Sequence, residues 1–129
     1  MPVYLKFSRT VAIVLALAAG PAWAHHSFAM FDLTKNQTIS GVIKDLDWTN
    51  PHSWLDVVAT DSTGKAVTWG FEAGSPSTLY KAGWRVSAIH AGDKISVTFH
   101  PLRDGGPGGS LLGATLADGT VLAAMARRP

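Results

Sequence analysis

Apolar and polar residues alternate with a period of two through much of this chain, the pattern of strands with one buried face. The clearest run is Lys94 to His100, where Ile95, Val97 and Phe99 alternate with Lys94, Ser96, Thr98 and His100. Gln37 to Trp48 also reads as a strand, through Ile39, Val42, Ile43, Leu46 and Trp48. Its alternation slips once near Gly41, which predicts a bulge or bend there. Thr49-Asn50-Pro51-His52 follows as a turn, because Asn and Pro favour turn backbone and Pro interrupts strand pairing. Trp54–Thr60 and Ala66–Glu72 make a hairpin about Asp61-Ser62-Thr63-Gly64.

A single short helix comes next. Ser75 is a good N-cap, Pro76 suits the first helical position, and Gly83 suits the C-terminal stop. Leu79 and Tyr80 supply its apolar face. Ala91-Gly92-Asp93 turns the chain into the strand at Lys94. Pro101 to Gly109 reads as a glycine-rich loop, and Leu111–Leu116 with Val121–Met125 as a final hairpin about Asp118-Gly119. Three strands, a helix, then two or three strands is the order of a mainly β, OB-like small barrel of five to six strands, its helix between the third and fourth. An open sandwich has a similar strand count. Trp48, Trp54, Trp69 and Phe71 are the expected large core residues.

The first 24 residues follow a different pattern. Lys6 and Arg9 precede an apolar run from Val11 to Ala19, Gly20-Pro21 breaks it, and Ala22-Trp23-Ala24 has the small residues a signal peptidase reads. The run is about half the roughly 20 apolar residues of a membrane-spanning helix. We therefore expect a signal peptide over 1–24, cleavage after Ala24, a periplasmic or secreted bacterial protein, and no membrane anchor after cleavage. Residues 25–129 are expected to form one domain, with 25–36 as an N-terminal arm and 127–129 as a tail.

Cleavage changes the meaning of the charge. The 129-residue chain has 11 basic and 9 acidic residues, a formal charge of +2. Lys6 and Arg9 leave with the signal and no acidic residue does, so the mature chain is formally neutral. Only Arg127-Arg128 clusters positive charge, and a nucleic-acid partner is not expected. The absence of cysteine excludes disulfides, thiolate metal sites and a Cys nucleophile.

Histidine carries most of the remaining chemistry. Cleavage after Ala24 makes His25 the first residue, and an N-terminal His offers an α-amine and an imidazole that can close on one metal ion. A further imidazole completes the three-nitrogen arrangement called a histidine brace, whose donors suit Cu(II). His26 lies alongside; His52, in the turn, and His100, at a strand end, are the third-ligand candidates. Taken singly, His52 has a structural reading as a hydrogen-bond partner within its turn, and His100 as a cap before Pro101. His90 precedes a Gly turn and is left aside for want of a neighbouring partner.

Other constellations add little. Glu72 is the single Glu, so paired-Glu catalysis is excluded. Asp45 and Asp47 share a strand face and read as solvated. No G-x-S-x-G elbow is present, and the glycine-rich loop lacks the Lys-Ser/Thr ending of a phosphate-binding loop. Trp48 and Trp54 flank the Asn50 turn; the default is core packing, and an outward placement provides a stacking surface for a flat ligand.

The blocks AHHSFAMFD (Ala24–Asp32), WTNPHSW (Trp48–Trp54), GSPSTLYKAGW (Gly74–Trp84), AGD (Ala91–Asp93) and HPLRDG (His100–Gly105) resemble a family of small secreted bacterial proteins known as a domain of unknown function. The resemblance implies that His25, His26, Asn50, Pro51, His52, His100 and Pro101 are family features, without naming a ligand. The resulting expectation is a periplasmic protein binding copper or another transition metal through His25 and one or two of His26, His52 and His100, serving a periplasmic redox or metal-handling partner. The alternative is a non-enzymatic accessory module that binds a protein or small organic ligand through Trp48, Asn50 and Trp54.

Overall fold

A computed structural model describes residues 28–125. Six strands run in chain order: β1 (Gln37–Asp47), β2 (Trp54–Thr60), β3 (Ala66–Glu72), β4 (Lys94–Pro101), β5 (Gly108–Leu116) and β6 (Val121–Ala123). The helix α1 (Pro76–Lys81) lies between β3 and β4, with short 3-10 turns at Phe28–Met30 and Val86–Ala88. The sheet order is β3-β2-β1-β4-β5-β6, and β3 also pairs in parallel with β5. That pairing closes β1, β2, β3, β5 and β4 into an OB-like barrel, with β6 extending its wall.

Closure depends on a stretch that the sequence pattern assigns to a loop. β5 begins at Gly108 and not at Leu111, and β4 runs on through Pro101. Gly108 and Gly109 lack the apolar side chains that mark a strand, yet their size admits β5 between two neighbours. A Cβ on Gly108 would collide with the Gly70 carbonyl, and one on Gly109 with the His100 carbonyl and the Phe99 ring.

β1 serves two partners in turn. Gln37–Val42 pairs with β4, and Val42–Asp47 with β2. The irregularity expected near Gly41 lies instead between Ile43 and Asp45, where the register with β2 shifts. Gly41 has its own role, since a Cβ there would strike the Val58 carbonyl. The strand ends at Asp47, one residue short of the predicted limit, and β6 ends at Ala123 and not Met125.

The core follows the alternation. Leu55 and Val57, Phe71, Val97 and Phe99, and Leu111 face inward from successive strands. Phe71 and Phe99 pack with their rings tilted by 51° and 4.8 Å between centroids, with Trp69 5.8 Å from Phe99. The expected core set of Trp48, Trp54, Trp69 and Phe71 is corrected at Trp54. Trp48 and Trp69 pack against the core, Trp54 is 43% exposed, and Trp84 is fully buried with Nε1–H donating to the Ala123 carbonyl at 2.8 Å. Trp54 begins β2 on the outward phase, whereas Trp84 follows the helix stop and plugs the barrel beside Leu79.

The helix matches its caps. The Thr78 amide donates to Ser75 Oγ at 3.2 Å, Pro76 occupies the first turn, and Gly83 has φ +100°. Leu79 is buried; Tyr80 is exposed instead of sharing its face and lies under the Arg85 guanidinium at 3.9 Å. Among the described residues no helix is long and apolar enough to cross a membrane.

Candidate functional site

Pairing across the closure aligns four outward-facing residues in one row. Trp54 pairs with Glu72, Glu72 with Ser110, and Ser110 with His100. Their strand neighbours Leu55, Phe71, Leu111 and Phe99 are buried, so the four residues lie on the outer barrel face. Adjacent strands are about 4.8 Å apart, which puts His100 and Glu72 roughly 10 Å apart along this row.

His52 joins the row from the Asn50-Pro51 turn, whose peptide bond is cis. Buried Ser53 anchors the turn: its amide donates to the Gly74 carbonyl at 3.0 Å, and its carbonyl accepts from the Ala73 amide at 2.9 Å. The ladder between β2 and β3 is thereby prolonged past Trp54, and His52 is delivered to the end of β3. Its Nδ1 lies 3.3 Å from the Ala73 carbonyl and 3.6 Å from Glu72 Oε1. Glu72 is 12% exposed at its side chain, against 43% for His52.

His100 is held in the same way from another direction. Its Nδ1–H donates to the Lys35 carbonyl at 2.9 Å. A carbonyl oxygen only accepts, so each ring carries a proton on Nδ1, and in the neutral form the lone pair is on Nε2. Metal-binding imidazoles are oriented by such contacts, with the second nitrogen given to a carbonyl or carboxylate.

The N-terminal arm crosses this face. Phe31 is buried and bridges Leu102, the Asp32 amide donates to the Pro101 carbonyl at 2.8 Å, and Arg103 donates from its amide to Met30 and from Nε to Ala29. So fastened, Phe28 lines two adjoining clefts. One, of about 350 Å³, contains His52, Glu72, Thr78 and Met125. The other, of about 520 Å³, contains His100, Leu33, Leu112 and Met125. A third groove joins His52 and Glu72 to Trp54 and Met30.

The chain belongs to DUF6152, a family of unknown function. The family model matches residues 12–111, which includes the arm, the turn, the helix and most of the barrel. No curated protein matches the chain, and no solved structure does.

The sequence-predicted residues divide three ways in this family member. His52 and His100 occupy neighbouring clefts that share Phe28, Ser110 and Met125. His25 and His26 lie outside the described residues. Of the aromatic set, Asn50 is exposed in the turn, Trp48 is partly buried, and Trp54 is exposed with its indole over Gly70 and Nε1–H donating to Asp56 at 2.9 Å. His90 does have a partner, Asp93 at 3.2 Å, on an exposed turn away from the row. Glu72 is the residue sequence reasoning missed as part of a site. Its signal was available in its being the single Glu of the chain, at the end of a strand, but strand phase alone did not reveal His52 beside it. Among the described residues no three His, Asp or Glu side chains gather to hold a metal ion.

Proposed function

We propose that this protein is a periplasmic metal-binding protein whose site is completed by its own N-terminus, with His52 as the third ligand to copper or another transition metal. The observation that supports this most is the pair of histidines whose Nδ1 atoms are engaged by backbone carbonyls, leaving Nε2 for a ligand, in clefts bordered by Phe28. His25 is three residues before Phe28, a reach of about 10 Å for extended chain. Signal cleavage after Ala24 supplies the α-amine and imidazole of His25, and the barrel supplies His52, backed by Glu72. His26 and His100 are the adjoining donors. Imidazole and amine nitrogens favour Cu(II) in the divalent affinity order.

The site then stores or delivers the metal to a periplasmic redox or metal-handling partner. Calorimetric titration of Cu(II) into protein beginning at His25, into a Met-extended form and into His52→Ala tests the reading. The expected result is tight binding that weakens at least tenfold in both altered forms. Equal affinity for the first two removes the N-terminal ligand, and absence of binding to all three removes the metal.

A second reading draws on the exposed Trp54 at the groove it shares with Met30, Pro51, His52 and Glu72. There the protein is an accessory module that stacks a flat organic ligand or a partner's side chain on the indole. Loss of partner or ligand capture in Trp54→Ala, with copper affinity unchanged, favours it.

A further inference from the structure

The clefts around His52 carry a kind of donor that the histidine pattern does not include. The chain has no cysteine and three methionines, Met1, Met30 and Met125. Met30 and Met125 each line a cleft that contains His52. Met30 lines the groove that contains His52 and Glu72, and Met125 lines the cleft that contains the same two residues. They arrive from opposite ends of the described chain and from unrelated elements.

Each is held near the site by its backbone while its side chain is open to solvent. The Met30 carbonyl accepts from the Arg103 amide at 3.0 Å. Met125 follows Ala124, whose amide donates to the Leu112 carbonyl at 2.9 Å. The two side chains are 45% and 71% exposed, so neither thioether is committed to the barrel core. An unbranched thioether with several free torsions re-aims easily. Exposed apolar side chains from two separate elements, one in each of two clefts that share Pro51, His52 and Glu72, add no comparable core packing.

Thioether sulfur is a soft donor that prefers Cu(I), whereas imidazole, amine and carboxylate suit Cu(II). We propose that Met30 and Met125 turn toward the His52 imidazole from the two clefts that meet there and form a cuprous site with it, so that the barrel binds Cu(I) without the N-terminal amine. The inference rests on the reading of His52 as a metal ligand and adds the oxidation state that the barrel itself takes. The ion enters as Cu(I), and no electron is transferred.

The test uses the protein beginning at His25, its Gly-extended form, and the variants Met30→Leu, Met125→Leu and the double variant. Anaerobic competition for Cu(I) against a chromogenic cuprous chelator gives the affinity, and calorimetry gives that for Cu(II). Leucine keeps the volume and the exposure, and far-UV circular dichroism checks the fold of each variant. The expected result is a loss of at least tenfold in Cu(I) affinity in the double variant, with Cu(II) affinity unchanged. X-ray absorption of the Cu(I) form is expected to show sulfur in the coordination shell of the parent and not of the double variant.

Undetectable Cu(I) binding in the parent, or an unchanged affinity in the double variant, overturns the cuprous site. The Gly-extended form, which blocks the His25 amine without adding a thioether, separates the two proposals: it retains Cu(I) while losing Cu(II) if both hold. If the N-terminal brace alone is wrong, its Cu(II) affinity equals the parent's and the methionine effect on Cu(I) remains.

Discussion

Replacing Trp84 by Phe tests whether this residue, and not Trp54, is the aromatic plug of the barrel. Trp84 is fully buried and its Nε1–H donates to the Ala123 carbonyl at 2.8 Å. Phenylalanine removes ring atoms equivalent to roughly two buried methylene groups, worth about 1.6 kcal/mol. It also removes the donor to Ala123. Ala123 is itself exposed, so water relieves its carbonyl and the loss lies near the lower limit for an unsatisfied group, about 1 kcal/mol. The total, about 2.5 kcal/mol, is a substantial part of the roughly 5–15 kcal/mol typical of a domain. Urea unfolding followed by far-UV circular dichroism measures it without relying on the deleted fluorophore. Trp54→Phe is the control: its indole is 43% exposed and its donor faces Asp56 at the surface, so the expected change is within about 0.5 kcal/mol. A Trp84→Phe loss below about 1 kcal/mol, or one no larger than the control, refutes the assignment.

Three further outcomes follow from the same geometry. Glu72→Gln keeps the shape beside His52 but removes the negative charge 3.6 Å from Nδ1, while the Ala73 carbonyl still orients the ring, and calorimetry is expected to show Cu(II) affinity lowered by no more than about tenfold. Gly109→Ala drives a Cβ into the His100 carbonyl and the Phe99 ring, with an expected destabilisation of about 1–3 kcal/mol in urea unfolding. Asp61 has its carboxyl held below the usual range, first by the Thr63 hydroxyl and then by the Lys65 and Thr63 amides. Because the folded value is the lower one, this stabilisation is present above the unfolded value of 3.8 and lost as pH falls through the folded value. The stability gap between the parent and Asp61→Ala, in urea midpoints, is therefore expected at pH 7 and to narrow below about pH 4.

The sequence by itself determined the local structure. Alternation set the strands, Asp61 to Gly64 set the hairpin, and Ser75, Pro76 and Gly83 set the helix with its ends. These signals are legible because strand phase, turn chemistry and capping act between residues close in the chain. The same order of elements was enough for the OB-like fold class.

Only the tertiary structure decided what closes the barrel and what meets outside it. Gly108 and Gly109 read as loop because nothing in their own neighbourhood says that β3 and β4 pass on either side. Trp54 was expected in the core and is exposed, and Trp84 became its largest fully buried residue, because burial depends on which face a strand or turn presents after closure. Glu72 and His52 are 20 positions apart and became neighbours through the prolonged ladder at Ser53. Met30 and Met125, separated by most of the chain, reached the clefts of His52 only when the arm and the end of β6 were fastened to the barrel. Donor types can be counted in a sequence, but their convergence depends on contacts between residues distant along the chain.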